Sequence, residues 1–183
     1  MDSMKIVAVL GMAGSGKSEV ARIFEKNGYR RVRFGDITDE ELLKRGLELS
    51  EENERRVRED LREEHGMSAY ARLNLPRIEE AVNKSSVVID GLYSWEEYLF
   101  LKEKYGDNFL TVAVWTSPAT RYRRLNRRIM RKRKADAAAS RDRAEIENLN
   151  KGGPIAMADY TLCNEGSRQE LKKAAEYLLE KFV

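Results

Sequence analysis

The segment Gly11-Met12-Ala13-Gly14-Ser15-Gly16-Lys17-Ser18 constrains this chain more than any other. Its spacing, G-x-x-x-x-G-K-[ST], is that of a phosphate-binding loop joining a strand to a helix. The flanks agree: Ile6 to Leu10 is an apolar run suited to a buried parallel strand, and Glu19 to Lys26 reads as the helix. Glycines let backbone N–H groups converge on phosphate oxygens, and the helix directs its positive end at the same anion. Lys17 is placed to reach terminal phosphates, and the Ser18 hydroxyl to ligate Mg²⁺.

The rest of the chain alternates strands with helices. Asn27-Gly28 turns into a short second strand, Arg31 to Phe34, ending in Gly35-Asp36. Thr38-x-x-Glu41 has the spacing of a capping box and predicts a helix to about Arg45. Ser50 is a suitable N-cap for the next helix, to about Glu64, and Ser68 opens a third that Pro76 should disturb. Ser86 to Asp90 is the third strand, and Ser94-x-x-Glu97 caps the helix after it. Phe109 to Trp115 is the fourth strand, and Ser117-Pro118 starts an arginine-rich helix. A break is expected over 131–140, a loop at Gly152-Gly153-Pro154 and a fifth strand within Met157 to Cys163. Ser167-x-x-Glu170 then caps a terminal helix whose inner face carries Leu171, Ala175, Leu178 and Leu179. This alternation predicts an α/β fold, a parallel sheet covered by helices on both faces, with ligands at the carboxyl ends of the strands.

Charge is unevenly distributed. Asp36 to Glu64 holds 12 acidic and 6 basic residues, whereas Arg121 to Arg143 holds 11 basic and 2 acidic. Only Tyr122 is aromatic in the basic stretch, so a stacking platform for nucleic acid is missing and nucleic acid is not the expected partner. One cysteine and one histidine exclude an internal disulfide and a Cys/His zinc site. No apolar run has membrane-spanning length and no signal peptide is evident, so a cytoplasmic location is expected. Cys163 reads as a small buried side chain, and His65 as an exposed residue at a helix end.

The strand-end rule gathers the chemistry on one edge. Asp90, after an apolar strand and before Gly91, is placed to hold the Mg²⁺ shell opposite Ser18. Asp36 is a candidate general base for an acceptor hydroxyl or an outer partner of the metal. Arg121, Arg123, Arg124, Arg127, Arg128 and Arg141 are candidates to neutralise transferring phosphate, with Arg141 first and Arg128 second, because a helix cannot aim all six inward.

Together these features resemble the P-loop nucleotide kinases, the group of adenylate-kinase-like nucleoside monophosphate kinases and dephospho-CoA kinase. The resemblance covers nearly the whole chain. It implies a single domain over 1–183 with a five-stranded sheet of order 2-3-1-4-5, a helical acceptor-binding insert at about 38–84 and a short basic lid at about 127–143. It implies ATP and Mg²⁺ as cofactors and a small nucleotide-like acceptor, a nucleoside monophosphate or dephospho-CoA, as the partner. The nucleotide would be held by Gly11, Met12, Ala13, Gly14, Ser15, Gly16, Lys17, Ser18 and Glu19, with Asn164 and Gly166 near its base. Ser18 and Asp90 would serve the metal, and Lys17, Asp36, Arg128 and Arg141 the transfer. Two positions depart from adenylate kinases: Asp39 and Leu92-Tyr93-Ser94 stand where acceptor-phosphate arginines are expected. A P-loop NTPase acting with nucleic acid, or a nucleotide-binding regulator without transfer, are the alternative readings.

Overall fold

The computed structural model describes residues 4–127 and 135–182. Among these, five strands form one parallel sheet of order β2-β3-β1-β4-β5. They are β1 (Ile6–Leu10), β2 (Arg30–Arg33), β3 (Val87–Asp90), β4 (Phe109–Trp115) and β5 (Tyr160–Cys163). The helices are α1 (Lys17–Lys26), α2 (Asp36–Lys44), α3 (Glu51–His65), α4 (Ala69–Val82), α5 (Trp95–Tyr105), α6 (Pro118–Asn126), α7 (Ala135–Leu149), α8 (Gly152–Ala156) and α9 (Arg168–Leu179).

Strand alternation divides the core into two layers. Ile6, Ala8 and Leu10 of β1 face one side, where they pack with Leu42, Val57, Tyr70, Ile78 and Leu101 of α2 to α5. Val7 and Val9 face the other, against Val20, Ala21 and Phe24 of α1 and Leu171, Ala175, Leu178 and Leu179 of α9. Central strands buried on both faces must be continuously apolar, and β1 is. Parallel register brings Leu10, Asp90 and Trp115 to the same edge, above which the loops collect. No helix among the described residues is long and apolar enough to cross a membrane.

Helix starts follow the local chemistry with two exceptions, Thr38 and Ser68, the latter preceding α4 with its hydroxyl accepting from Arg72 Nε and capping no amide. Ser94 and Ser167 each close a full capping box, and Ser50 and Ser117 each accept an N-terminal amide. Thr38 does not cap: α2 begins at Asp36, so Thr38 lies inside it, buried, with its hydroxyl 2.6 Å from that of Tyr70. Tertiary burial uses the hydroxyl that the local motif assigned to the helix end. Four other expectations are corrected. Gly152 to Ala156 is a short helix and no loop, and α7 already begins at Ala135 inside the expected break. Cys163 is exposed because β5 is an edge strand. Helix α4 runs through Pro76 without interruption.

Tyr70→Phe leaves the Thr38 hydroxyl buried without this partner. The expected loss is about 1 kcal/mol of stability, read as a lower urea midpoint at unchanged slope.

Candidate functional site

The loop after β1 is shaped by its glycines and anchored through its carbonyls. Gly11 has φ +145° and Gly16 φ +101°; a Cβ on Gly16 would stand 2.3 Å from Asn164 Nδ2. Asn164 Nδ2 donates to the Ser15 carbonyl at 2.7 Å, and the Thr116 hydroxyl lies 3.0 Å from the same oxygen. Arg121, buried, donates from Nη1 to the Ala13 carbonyl at 3.1 Å and pairs through Nη2 with Asp142 at 2.7 Å. The Met12 carbonyl accepts the Ser15 amide at 3.1 Å. With these carbonyls engaged, the Lys17 and Ser18 amides that open α1 remain for an anion, while those of Glu19 and Val20 turn back to the Gly16 carbonyl.

Lys17, first residue of α1, faces a cavity of about 560 Å³ together with Ser18, Asp90, Arg141, Glu145 and Lys151. Glu145 is the hub of this cluster. Its Oε2 accepts from Lys151 Nζ at 2.6 Å and its Oε1 from Arg141 Nε at 2.8 Å. Burial raises the pKa of such a carboxyl, but Lys151 and Arg141 outweigh it and hold Glu145 well below the carboxylate range. Burial, followed by repulsion from Lys151, pushes Lys17 down to about 7, against the pull of Glu145 and Asp90. Lys151 also lies 5.3 Å from the ring centre of Tyr93. Glu145 and Lys151 were not among the residues singled out from sequence. The Arg141–Glu145 spacing of four on a helix was a weak signal, and nothing local marked Lys151.

On the metal side, Ser18 Oγ donates to Asp90 Oδ1 at 3.1 Å, and Asp90 Oδ2 is paired with Arg31 Nη2. No cluster of three or more His, Cys, Asp or Glu suited to a metal occurs among the described residues. A Mg²⁺ shared with phosphates keeps several waters and takes only one or two protein oxygens. The Ser18–Asp90 pair beside an anion cradle is such a donor set.

The same cavity continues into the helices between β2 and β3, where Arg33, Asp39, Glu51, Arg58, Arg62 and Tyr93 line it. Arg141 reaches across to Glu51 at 3.3 Å. Asp36 does not join this wall. It is ion-paired with Arg33 and lines a separate cleft with Arg30, Arg31 and Arg77. Asp39, one helical turn on, bonds the same Arg33 Nη1 at 2.8 Å and does face the cavity. The turn of α2 decides between these two aspartates, which is invisible without its first residue.

The remaining predicted residues are dispersed. Arg128 lies outside the described residues. Arg123 is exposed, Arg127 is an exposed turn residue, and Arg124 Nη2 donates to the Gly166 carbonyl at 3.4 Å. Glu19 sits on the outer face of α1, paired with Arg22 at 2.7 Å and Arg168 at 2.9 Å. Asn164 spends its side-chain amide on the loop itself.

A parallel 2-3-1-4-5 sheet with this loop after its central strand defines the P-loop kinase fold. A shikimate kinase from Bacteroides thetaiotaomicron superposes with TM-score 0.60 at 16% identity, over 97% of this chain and 98% of that one. A gluconokinase from Sinorhizobium meliloti 1021 superposes with TM-score 0.54 at 18% identity, over 98% of each chain. A family model described as an AAA domain matches residues 7–148. A UPF0200 protein of Thermococcus kodakarensis is 40% identical over 184 residues, covering 97% of this chain and 98% of the relative. The chain belongs to the UPF0200 family and, over residues 7–148, to the AAA-domain family, and its fold is that of the P-loop kinases.

Because Lys17 titrates near neutrality, an anion that restores its charge must bring a proton. Above about pH 7 a bound phosphate raises the Lys17 pKa, so binding is coupled to proton uptake; below it Lys17 is already charged. Calorimetric titration with ADP in buffers of different ionisation enthalpy should show uptake approaching about one proton at about pH 8.5 and little at about pH 6. Lys17→Met should remove the difference.

Proposed function

We propose that this protein is an ATP- and Mg²⁺-dependent phosphotransferase that moves the γ-phosphoryl group to a small nucleotide-like acceptor. One observation carries the reading. A single cavity is lined by the P-loop lysine, by two further cations bound to one carboxylate, and by the aspartate and arginines of the helices between β2 and β3. A donor phosphate and an acceptor can meet there.

In this reading the loop amides and Lys17 hold the β- and γ-phosphates, while Ser18 and Asp90 hold Mg²⁺, which when bound supplies charge neutralisation at those phosphates. Residues 38–84 form the acceptor side; of the lid expected at about 127–143, residues 128–134 lie outside the described residues. Arg141, carried by α7, and Lys151 face the charge that spreads over the equatorial oxygens during transfer. The acceptor oxygen bonds to the γ-phosphorus, the bond to the β,γ-bridging oxygen breaks, and ADP leaves with that electron pair. The acceptor proton passes to Asp39, which replaces Asp36 as base because it alone of the two lines the cavity. Arg33, bonded to Asp39 at 2.8 Å, holds that carboxylate in place.

The test is an ATP-transfer screen over nucleoside monophosphates, nucleosides and dephospho-CoA. Lys17→Ala should abolish transfer to whichever acceptor is used, and undiminished turnover would refute the assignment. With a hydroxyl acceptor, Asp39→Asn should lower kcat by about 10²-fold or more, and Asp36→Asn should change it little. The reverse order of effects would return the base role to Asp36.

A further inference from the structure

Asp90 is almost completely buried, and its two oxygens have different partners. Oδ1 receives the Ser18 hydroxyl at 3.1 Å; Oδ2 is occupied by Arg31 Nη2. Arg31 comes from the edge strand β2, and strand alternation sets it on the opposite face from Val32, toward α1. Its other terminal nitrogen, Nη1, lies 3.6 Å from Glu25 Oε2 at the far end of α1. Ser18 and Glu25 are seven residues apart on that helix, two turns along one face. The four side chains therefore form a closed circuit: α1 supplies both ends, β2 the cation and β3 the carboxylate.

This arrangement does two things for Asp90. A carboxylate left to rotate would offer either oxygen to Ser18, whereas the guanidinium claims Oδ2 and leaves Oδ1 as the oxygen turned to the loop. A charge buried this deeply is costly to leave without a partner, and Arg31 pairs with it from the side away from Ser18. The cleft beside β2, lined by Arg30, Arg31 and Glu25, gives Arg31 its approach from the sheet edge without entering the phosphate cavity, whose lining does not include it.

We infer that Arg31 is the positioning residue of the metal side of the site: through Asp90 Oδ2 it orients Oδ1 for a divalent cation, with Glu25 steadying it from α1. The inference rests on the proposal that Ser18 and Asp90 serve Mg²⁺. Hydrogen-bonded partners of metal-ligating or metal-facing groups set ligand orientation, and their loss costs about 10- to 100-fold in metal affinity.

The experiment uses Mn²⁺ as probe, titrated onto the ADP-bound protein and followed by electron paramagnetic resonance, with metal-free ADP affinity measured in parallel. Arg31→Met should weaken Mn²⁺ binding by about tenfold or more while leaving metal-free ADP affinity nearly unchanged, since Arg31 does not line the phosphate cavity. Arg31→Lys keeps the charge but loses the fork and should fall between; it also carries the test if Arg31→Met does not fold. Mn²⁺ binding unchanged or tightened in both variants would overturn the inference. Asp90→Asn separates the two levels. If it leaves Mn²⁺ affinity intact, the Ser18–Asp90 assignment itself is wrong. If it weakens Mn²⁺ while both Arg31 variants do not, only the role of Arg31 is refuted.

Discussion

The site depends on one buried carboxylate. Glu145 holds Lys151 and Arg141 by direct bonds and acts on Lys17 through space, so it makes a concentration of positive charge tolerable inside the cavity. Without it, three cations would face one another in a poorly solvated space, a costly arrangement. The compensation is partial, since Lys17 is still pushed down toward neutrality.

A second constraint is that a loop meant to offer amides must have its carbonyls satisfied elsewhere. Here strands and helices distant in sequence supply the donors: Arg121 for Ala13, and Asn164 with Thr116 for Ser15. Arg121 belongs to the basic stretch that looks, in sequence, like a set of phosphate contacts. It is buried and committed to the loop and to Asp142. The basic run thus divides by position: Arg121 supports the loop from behind, Arg124 reaches a neighbouring carbonyl, and Arg141 enters the cavity.

The helices between β2 and β3 show how a small rotation separates two carboxylates. Asp36 and Asp39 share Arg33, yet the first turn of α2 sends one to an outer cleft and the other to the cavity. Tyr93, three residues after Asp90, lines the cavity, and the Lys151 ammonium lies over its ring. An aromatic face can accept a cation at modest gain without bringing charge of its own.

The sequence by itself determined the sheet, its central strand, the loop after it and most helix starts, because these follow from nearest-neighbour chemistry: apolar runs, glycine spacing, and serine with glutamate three residues on. Lys17, Ser18 and Asp90 were legible for the same reason, as each is tied to the end of a readable strand or loop. The tertiary structure alone decided which aspartate of α2 faces the cavity, that Thr38 packs against Tyr70, and that Glu145, Lys151 and Arg31 complete the charge balance. Those outcomes depend on helix phase and on partners as far as 128 residues apart, as for Lys17 and Glu145, where only the folded path of the chain sets the distance on which electrostatic interaction depends.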